Sequence, residues 1–461
     1  MNATRRMAGL AAVAALCLVL GGAASVYAQA AAGGAQDQGA SKQPYTMAEY
    51  NSYKACADDK VPASQIKCFD DFVSKYPQSA LLVYVYPAYV QAYGAQKNYV
   101  KLLENVDKLL ALGDKADQLV RVQACYARAS SYLALSAADQ TTQAKGQRDA
   151  TATCLKLLED VKKPEGATDE AFAASKKQYA TLFNNAAAQA ATLQKDYPGA
   201  VGYFHEVLKI NPDDPVAHYL LGKTYLAMNP AQSMDGFWHV AKAITSKSAT
   251  DVQKKQLTPY LKKLILAYQG GTVCDSLSDS EYSELMQLAG STADRPDSYK
   301  LLSSTDLDAA RKDMTIASVI ADLKAGGDKA KVTWFASCGL EFPDVPGKLF
   351  EVTPGATEAD PVTLKLAFVT SQAEFDAATA PDMEVKVVGQ PEAGKLNKDD
   401  NPAPRFTGTL MTYDPAPAFM LHWDKAKVNP EDLPKEKEKP AVKKPAPRRP
   451  APKKPGTRSS N

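Results

Sequence analysis

The stretch "YFHEVLKINPDDPVAHYLLGKTYLAM", Tyr203 to Met228, decides how the rest of the chain is read. Phe204, Val207 and Ile210 recur at three-residue intervals and line one face of a helix. The segment "NPDDP" is a tight turn, and a second short helix comes after it. The stretch holds no nucleophile–base pair, no glycine-rich phosphate loop and no metal-ligand spacing. Its clearest motif is architectural.

Working outward, the chain can be laid on itself at a spacing of 34 residues, Thr181–Asp214 over Pro215–Ser248. Phe204 then falls on Trp238, Val207 on Ala241 and Ile210 on Ile244. Ala188 falls on Gly222, where two helices must approach closely and a small residue permits it. With Leu221-Gly222, Tyr225, Ala200, Phe204, Val207 and Pro212 each matching a consensus type, this region resembles the tetratricopeptide repeat (TPR) family. Pro87 to Asp114 looks like a degraded copy, with Tyr93 and Tyr99 at packing positions and Val90 in place of the small residue. "CFDDFVSKYPQSALLVYVYPAYVQAYG" looks like another repeat junction.

The resemblance implies stacked helical hairpins, because one hairpin cannot bury its apolar face alone. It also implies a groove lined by the first helix of each pair. On this sequence those positions are Leu182, Asn185, Gln189 and Thr192 in one repeat and Val216, Tyr219, Lys223 and Leu226 in the next. Some members clamp a peptide carboxylate with several Lys, Arg and Asn side chains. Here only Lys223, Asn185 and Gln189 could contribute, so that specificity does not carry over. The rival reading is a plain helical bundle without a groove.

The same helical pattern extends over residues 45–268. In "NYVKLLENVDKLLALGD" the apolar set is Val100, Leu103, Val106, Leu109 and Leu110. Turn signals recur every 15 to 20 residues, as short-looped antiparallel helices require. Residues 269–346 read as a looser helical bridge. In it, "STDLDAARKDMTIASVIADLKAGG" forms one helix from a cap at Ser304 or Thr305 to a stop at Gly326-Gly327. Trp334, Phe335, Cys338, Leu340 and Phe342 are expected to seat the helical body on the C-terminal module.

From Gly347 the period changes to two. "GKLFEVT", "VTLKLAF", "MEVKVVG", "RFTGTLMTY" and "AFMLHWD" are five short strands. Val362, Leu364, Leu366 and Phe368 face one way, as do Met383, Val385 and Val387, then Phe406 and Leu410, then Phe419, Leu421 and Trp423. This predicts a small antiparallel barrel or sandwich over 347–428, similar in strand count to the oligomer-binding (OB-like) barrels. The fold class is therefore mainly α, a TPR-like stack followed by a small β-domain.

The ends carry other information. Arg5 and Arg6 followed by the apolar run Met7–Leu20 and small-residue cleavage sites read as a signal peptide over 1–30. An uncleaved anchor or a lipid on Cys17 are the alternatives. Residues 31–44 are a small-residue linker and 429–461 a Lys/Pro-rich tail. From Lys435 the chain has ten Lys/Arg and two Glu, net +8, against +2 for the whole, so residues 1–434 carry −6. Beyond Cys17 six cysteines remain, Cys56, Cys68, Cys125, Cys154, Cys274 and Cys338. An even count in an exported chain suggests disulfides, and sequential pairing keeps each bridge local, with Cys56–Cys68 stapling the first helix pair.

The four histidines, His205, His218, His239 and His422, lack metal-ligand spacing and read as ordinary helix-surface residues. No cofactor and no metal are expected. The favoured function is an exported, non-enzymatic scaffold, periplasmic or secreted, that takes a protein or peptide partner in the groove. The alternatives are an envelope-polyanion binder using tail and β-module, with no nucleic acid expected, and a cell-wall hydrolase.

Overall fold

The computed structural model describes residues 44–271 and 274–434. The expected signal peptide, nearly all of the linker and the tail from residue 435 lie outside these. The described chain forms two compact units, one of residues up to 265 with 281–301, the other of 266–280 with 302–434. The stretch 269–346, expected as a bridge, divides between them.

The first unit is built from helices α1 (Met47–Asp58), α2 (Pro62–Lys75), α3 (Leu82–Ala95), α4 (Tyr99–Ala111), α5 (Gln118–Ala134), α6 (Ala137–Asp160), α7 (Asp169–Leu193), α8 (Tyr197–Ile210), α9 (Pro215–Ala227) and α10 (Ser233–Thr245). Most of α11 (Asp251–Tyr268) and the later part of α12 (Asp275–Ser291) join them. Consecutive helices pack on one another, from α1 on α2 through α9 on α10, and α3, α5 and α7 also touch in turn. That pattern, neighbour on neighbour with alternate helices in contact, is a stack of helical hairpins rather than a single bundle.

Local sequence explains the hairpin ends. Asp196 caps α8 by accepting from the Gly199 N–H at 3.0 Å. Asp214 caps α9 by accepting from the Val216 and Ala217 N–H groups at 2.9 and 3.0 Å, with Pro215 in the first turn where its missing N–H costs nothing. The 34-residue alignment holds in space: Phe204, Val207, Trp238, Ala241 and Ile244 are all buried, and Ile210 is half-buried. Ala188, Ala200, Phe204 and Leu221 share one core, which joins α7, α8 and α9. The degraded copy begins earlier than its sequence suggested. α3 starts at Leu82 and carries Pro87 inside it, since burial of Val85, Tyr89 and Ala92 outweighs the lost hydrogen bond.

The three bridges are Cys56–Cys68, Cys125–Cys154 and Cys274–Cys338, the sequential pairing. The first staples α1 to α2 and the second α5 to α6. Closing loops of this length is worth about 3 kcal/mol each in the chain-entropy account.

The second unit holds α13 (Ser304–Arg311), α14 (Ile316–Ala325), α15 (Gly327–Ser337) and the barrel. The single helix expected over 304–325 is two. Ser303 caps α13 with Asp306, and Thr315 starts α14 with its own capping box to Ser318, so the chain restarts after Met314. Gly326, at φ 73°, ends α14 as read. Trp334, Phe335 and Cys338 seat α15 against the barrel core, Trp334 edge-on to Tyr413 at 4.8 Å.

The strands are β1 (Glu341–Thr353), β2 (Val362–Phe368), β3 (Met383–Val387), β4 (Arg405–Asp414) and β5 (Met420–Val428), with the six-residue α16 (Gln372–Ala377) between β2 and β3. They close as β1-β2-β3-β5-β4. Four of the interfaces are antiparallel, and β3 runs parallel to β5. β1 starts six residues before Gly347. Its first half pairs with β4 and its second with β2; the register shift against β4 takes up Pro343, while Pro346 stays in register opposite Arg405. The inward set is the predicted one: Val362, Leu364, Leu366, Met383, Val385, Val387, Phe406, Leu410, Leu421 and Trp423 are all buried. Phe368 and Phe419 are half-buried beside it.

Candidate partner face on the repeat helices

Val216, Tyr219 and Lys223 stand one turn apart along α9. Val216 is 43% exposed and Lys223 is exposed, while Tyr219 is half-buried. The Lys223 ammonium lies 5.5 Å from the centre of the Tyr219 ring. Tyr260 of α11 meets the same ring edge-on at 6.2 Å. Burial raises the phenols of both tyrosines above their usual range. α9 thus presents an aliphatic side chain, an aromatic plane and a cation in sequence, with a second tyrosine alongside. Tyr260 was not foreseen, because the repeat alignment stopped at Ser248. Extending it into the next helix would have found it.

The other predicted positions are placed differently. Leu226 turns into its own hairpin, where a Cβ on Gly236 would fall 2.6 Å from its Cγ. The Thr192 hydroxyl donates to the Ala188 carbonyl one turn back, at 2.8 Å. Leu182, Asn185 and Gln189 are half-buried on α7, and the Asn185 Oδ1 atom is buried without a hydrogen-bond partner.

The histidines depart from expectation. Three of the four converge among α8, α9 and α10. His218 is only 6% exposed and His239 is half-buried, so neither is a surface residue. Their Nδ1 atoms lie 3.0 Å apart and their rings stack at 5.2 Å. His218 Nε2 is 3.0 Å from the Pro212 carbonyl oxygen. His239 stacks on Tyr225 at 5.6 Å, and the Tyr225 hydroxyl is 3.1 Å from Nε2 of exposed His205. Burial lowers both buried imidazoles, His239 to about 3. The signal available in the sequence was the coincidence of His205 and His239 at the 34-residue spacing, which puts both rings on one side of the stack.

On the barrel, His422 of β5 bridges two strands. Its Nδ1 is 3.3 Å from Glu384 on β3 and its Nε2 is 2.9 Å from Asp414 on β4. Residues 341–434 hold sixteen Asp/Glu against eight Lys/Arg, a net of −8. The acidity of the body is concentrated in this barrel. Among the described residues, no group of three or more His, Cys, Asp or Glu side chains is arranged to hold a metal ion. None of the described helices is long and apolar enough to cross a membrane.

No family model matches the sequence, and neither does any curated protein. Two solved structures are similar to about half of the chain. One is a thermophilic TPR protein of Thermus thermophilus, at 14% identity and a TM-score of 0.24, covering 47% of this chain and 99% of that one. The other is the C-terminal part of a TPR repeat-containing protein from Cytophaga hutchinsonii, at 14% identity and a TM-score of 0.24, covering 53% of this chain and 94% of that one. At such scores the hairpin stack is established by this chain's own packing.

Proposed function

We propose that this protein is an exported, non-enzymatic scaffold that holds a protein or peptide partner on the α9 face and serves envelope assembly or organisation. The observation that carries the reading is the Val216–Tyr219–Lys223 row with Tyr260 beside it. Interfaces draw most of their energy from a few aromatic and cationic anchors that are already partly desolvated. Tyr219 and Tyr260 hold each other in place before a partner arrives, which lowers the entropy cost of binding. Asn185 and Gln189 on α7 are the polar positions of the preceding repeat that would extend the face. The buried, unsatisfied Asn185 oxygen is the group there that still lacks a donor.

Three paired disulfides, with the Arg5-Arg6 apolar leader, support a periplasmic or secreted location, since such bridges persist in oxidising compartments. The β-domain is read as OB-like, five strands closed into a Greek-key barrel. Its net charge of −8 repels polyanions, so an anionic envelope polymer would have to be met by the +8 tail and not by the barrel.

The test is the double variant Tyr219→Ala/Lys223→Glu, expressed in the native envelope and crosslinked. Loss of a partner crosslinked by the wild type, with helical circular dichroism unchanged, is expected. Undiminished capture refutes the assignment of the face. Losing two such anchors costs about 2 kcal/mol or more, roughly a thirtyfold drop in affinity.

A further inference from the structure

The histidine cluster has a chemistry that the binding role does not use. A carbonyl oxygen only accepts, so His218 must donate its Nε2–H to Pro212. In the neutral ring that leaves His218 Nδ1 with a lone pair. The contact at 3.0 Å between the two Nδ1 atoms therefore requires His239 to donate from Nδ1. His239 Nε2 is then the unprotonated nitrogen. The hydrogen bonds allow one arrangement of the neutral pair, with a single proton between two buried rings.

We propose that the His218–His239 pair is an acid-labile latch, which holds α8, α9 and α10 together while neutral and releases them on taking up protons. The first added proton must go to His239 Nε2, and it places a charge among buried aromatic rings. A second proton would fall on His218 Nδ1, break the shared bond and set two cations 3.0 Å apart. The groups facing the pair give little relief. From α10, Lys242 repels both rings. From α8, His205 repels His239, and from α9 Tyr225 covers it without charge. The Pro212 carbonyl and, more weakly, Asp214 and Asp213 in the turn before α9 favour a charged His218, and desolvation outweighs them. Asp235 on α10 acts on Tyr225.

The sign comes from linkage. Both imidazoles bind protons more readily in the open chain than in the closed one, so their contribution is complete above pH ~6.5 and is lost as pH falls toward the folded values. For each fully depressed histidine the ratio of closed to open falls about 25-fold between pH 7 and pH 5, taking an open-chain value of about 6.5. Because α9 also bears Tyr219 and Lys223, opening would withdraw the partner face. That consequence rests on the binding role proposed above, whereas the latch itself does not.

Two measurements on the full chain test it. Two-bond ¹H–¹⁵N spectra of the imidazoles, assigned by substituting each of the four histidines in turn, should find His239 as the Nδ1–H tautomer at pH 7. His239 should stay unprotonated down to pH 5, and His218 should titrate below its ordinary range. His239 in the Nε2–H form, or either ring titrating near 6.5, overturns the proposal. Hydrogen exchange of α8–α10 amides, corrected for intrinsic rates, should show opening that rises more than about 25-fold from pH 7 to 5. The variant His239→Phe, which keeps a ring on Tyr225 but cannot titrate, should bring that rise to about 25-fold or less. An identical rise in wild type and variant overturns the latch, and the spectra decide the matter if the variant does not fold.

Discussion

Gly222 of α9 and Gly236 of α10 face each other where the two helices come into close backbone contact. A Cβ built on Gly222 would lie 2.8 Å from the Gly236 carbonyl oxygen and 3.0 Å from a Val240 methyl. Backbone cannot yield as a side chain can. At the equivalent place in the preceding repeat Ala188 is fully buried, so a methyl fits there and not here. Gly222→Ala gains about 1 kcal/mol of helix propensity, yet it should lower stability by about 1–3 kcal/mol net through overpacking. Urea titration followed by circular dichroism checks it. A neutral or stabilised variant would show that the helices are farther apart.

Arg128 is 1% exposed in α5, paired with Asp107 of α4 at 2.7 Å and donating to the Leu103 carbonyl at 3.3 Å. Its Nε and Nη2 have no partner. Asp107 is itself half-exposed, so its attraction is screened, but removing the carboxylate leaves the buried cation with little compensation, and Asp107→Asn should cost about 1–3 kcal/mol. Arg128→Met removes the charge and its desolvation together, and should cost far less or stabilise. The order of the two urea midpoints is the readout, and a reversed order contradicts this account of the pair.

The charge division predicts how the chain meets polyanions. Residues 435–461 carry +8 and the barrel −8. Deleting 435–461 should abolish retention on immobilised lipopolysaccharide at low salt. The intact chain should elute as salt approaches ~0.15 M, where the screening length falls to about 8 Å. Equal retention of the truncated chain would place the contact elsewhere.

Much of this architecture was legible in the sequence where the pattern was periodic. The 34-residue spacing located α9 and α10, and the change to a period of two named the inward residues of β2 to β5. The sequential pairing of the cysteines is expected only because it keeps each bridge within a local unit, and the three bridges follow it. What escaped reading has physical causes. The change of period reads as beginning at Gly347, but a register shift against β4 lets β1 begin at Glu341 and carry Pro343. Pro87 sits within α3 because burial on either side compensates. Thr315 and Ser318 form a capping box inside what looked like one helix. For the proposed face, the TPR resemblance named Val216, Tyr219, Lys223 and Leu226 together, yet it could not show that Leu226 fills the space over Gly236. Nor could it show that His218 and His239 meet, since that contact depends on how closely α9 and α10 approach.

The most direct test of the scaffold account is site-specific photocrosslinking in the native envelope, with a benzophenone side chain at Val216 and, separately, at Met411 on the barrel. The account predicts a discrete protein adduct from position 216 that disappears when Tyr219→Ala and Lys223→Glu are added, and none of that mass from position 411. No adduct at 216, or the same adduct from 411 regardless of those substitutions, would contradict it.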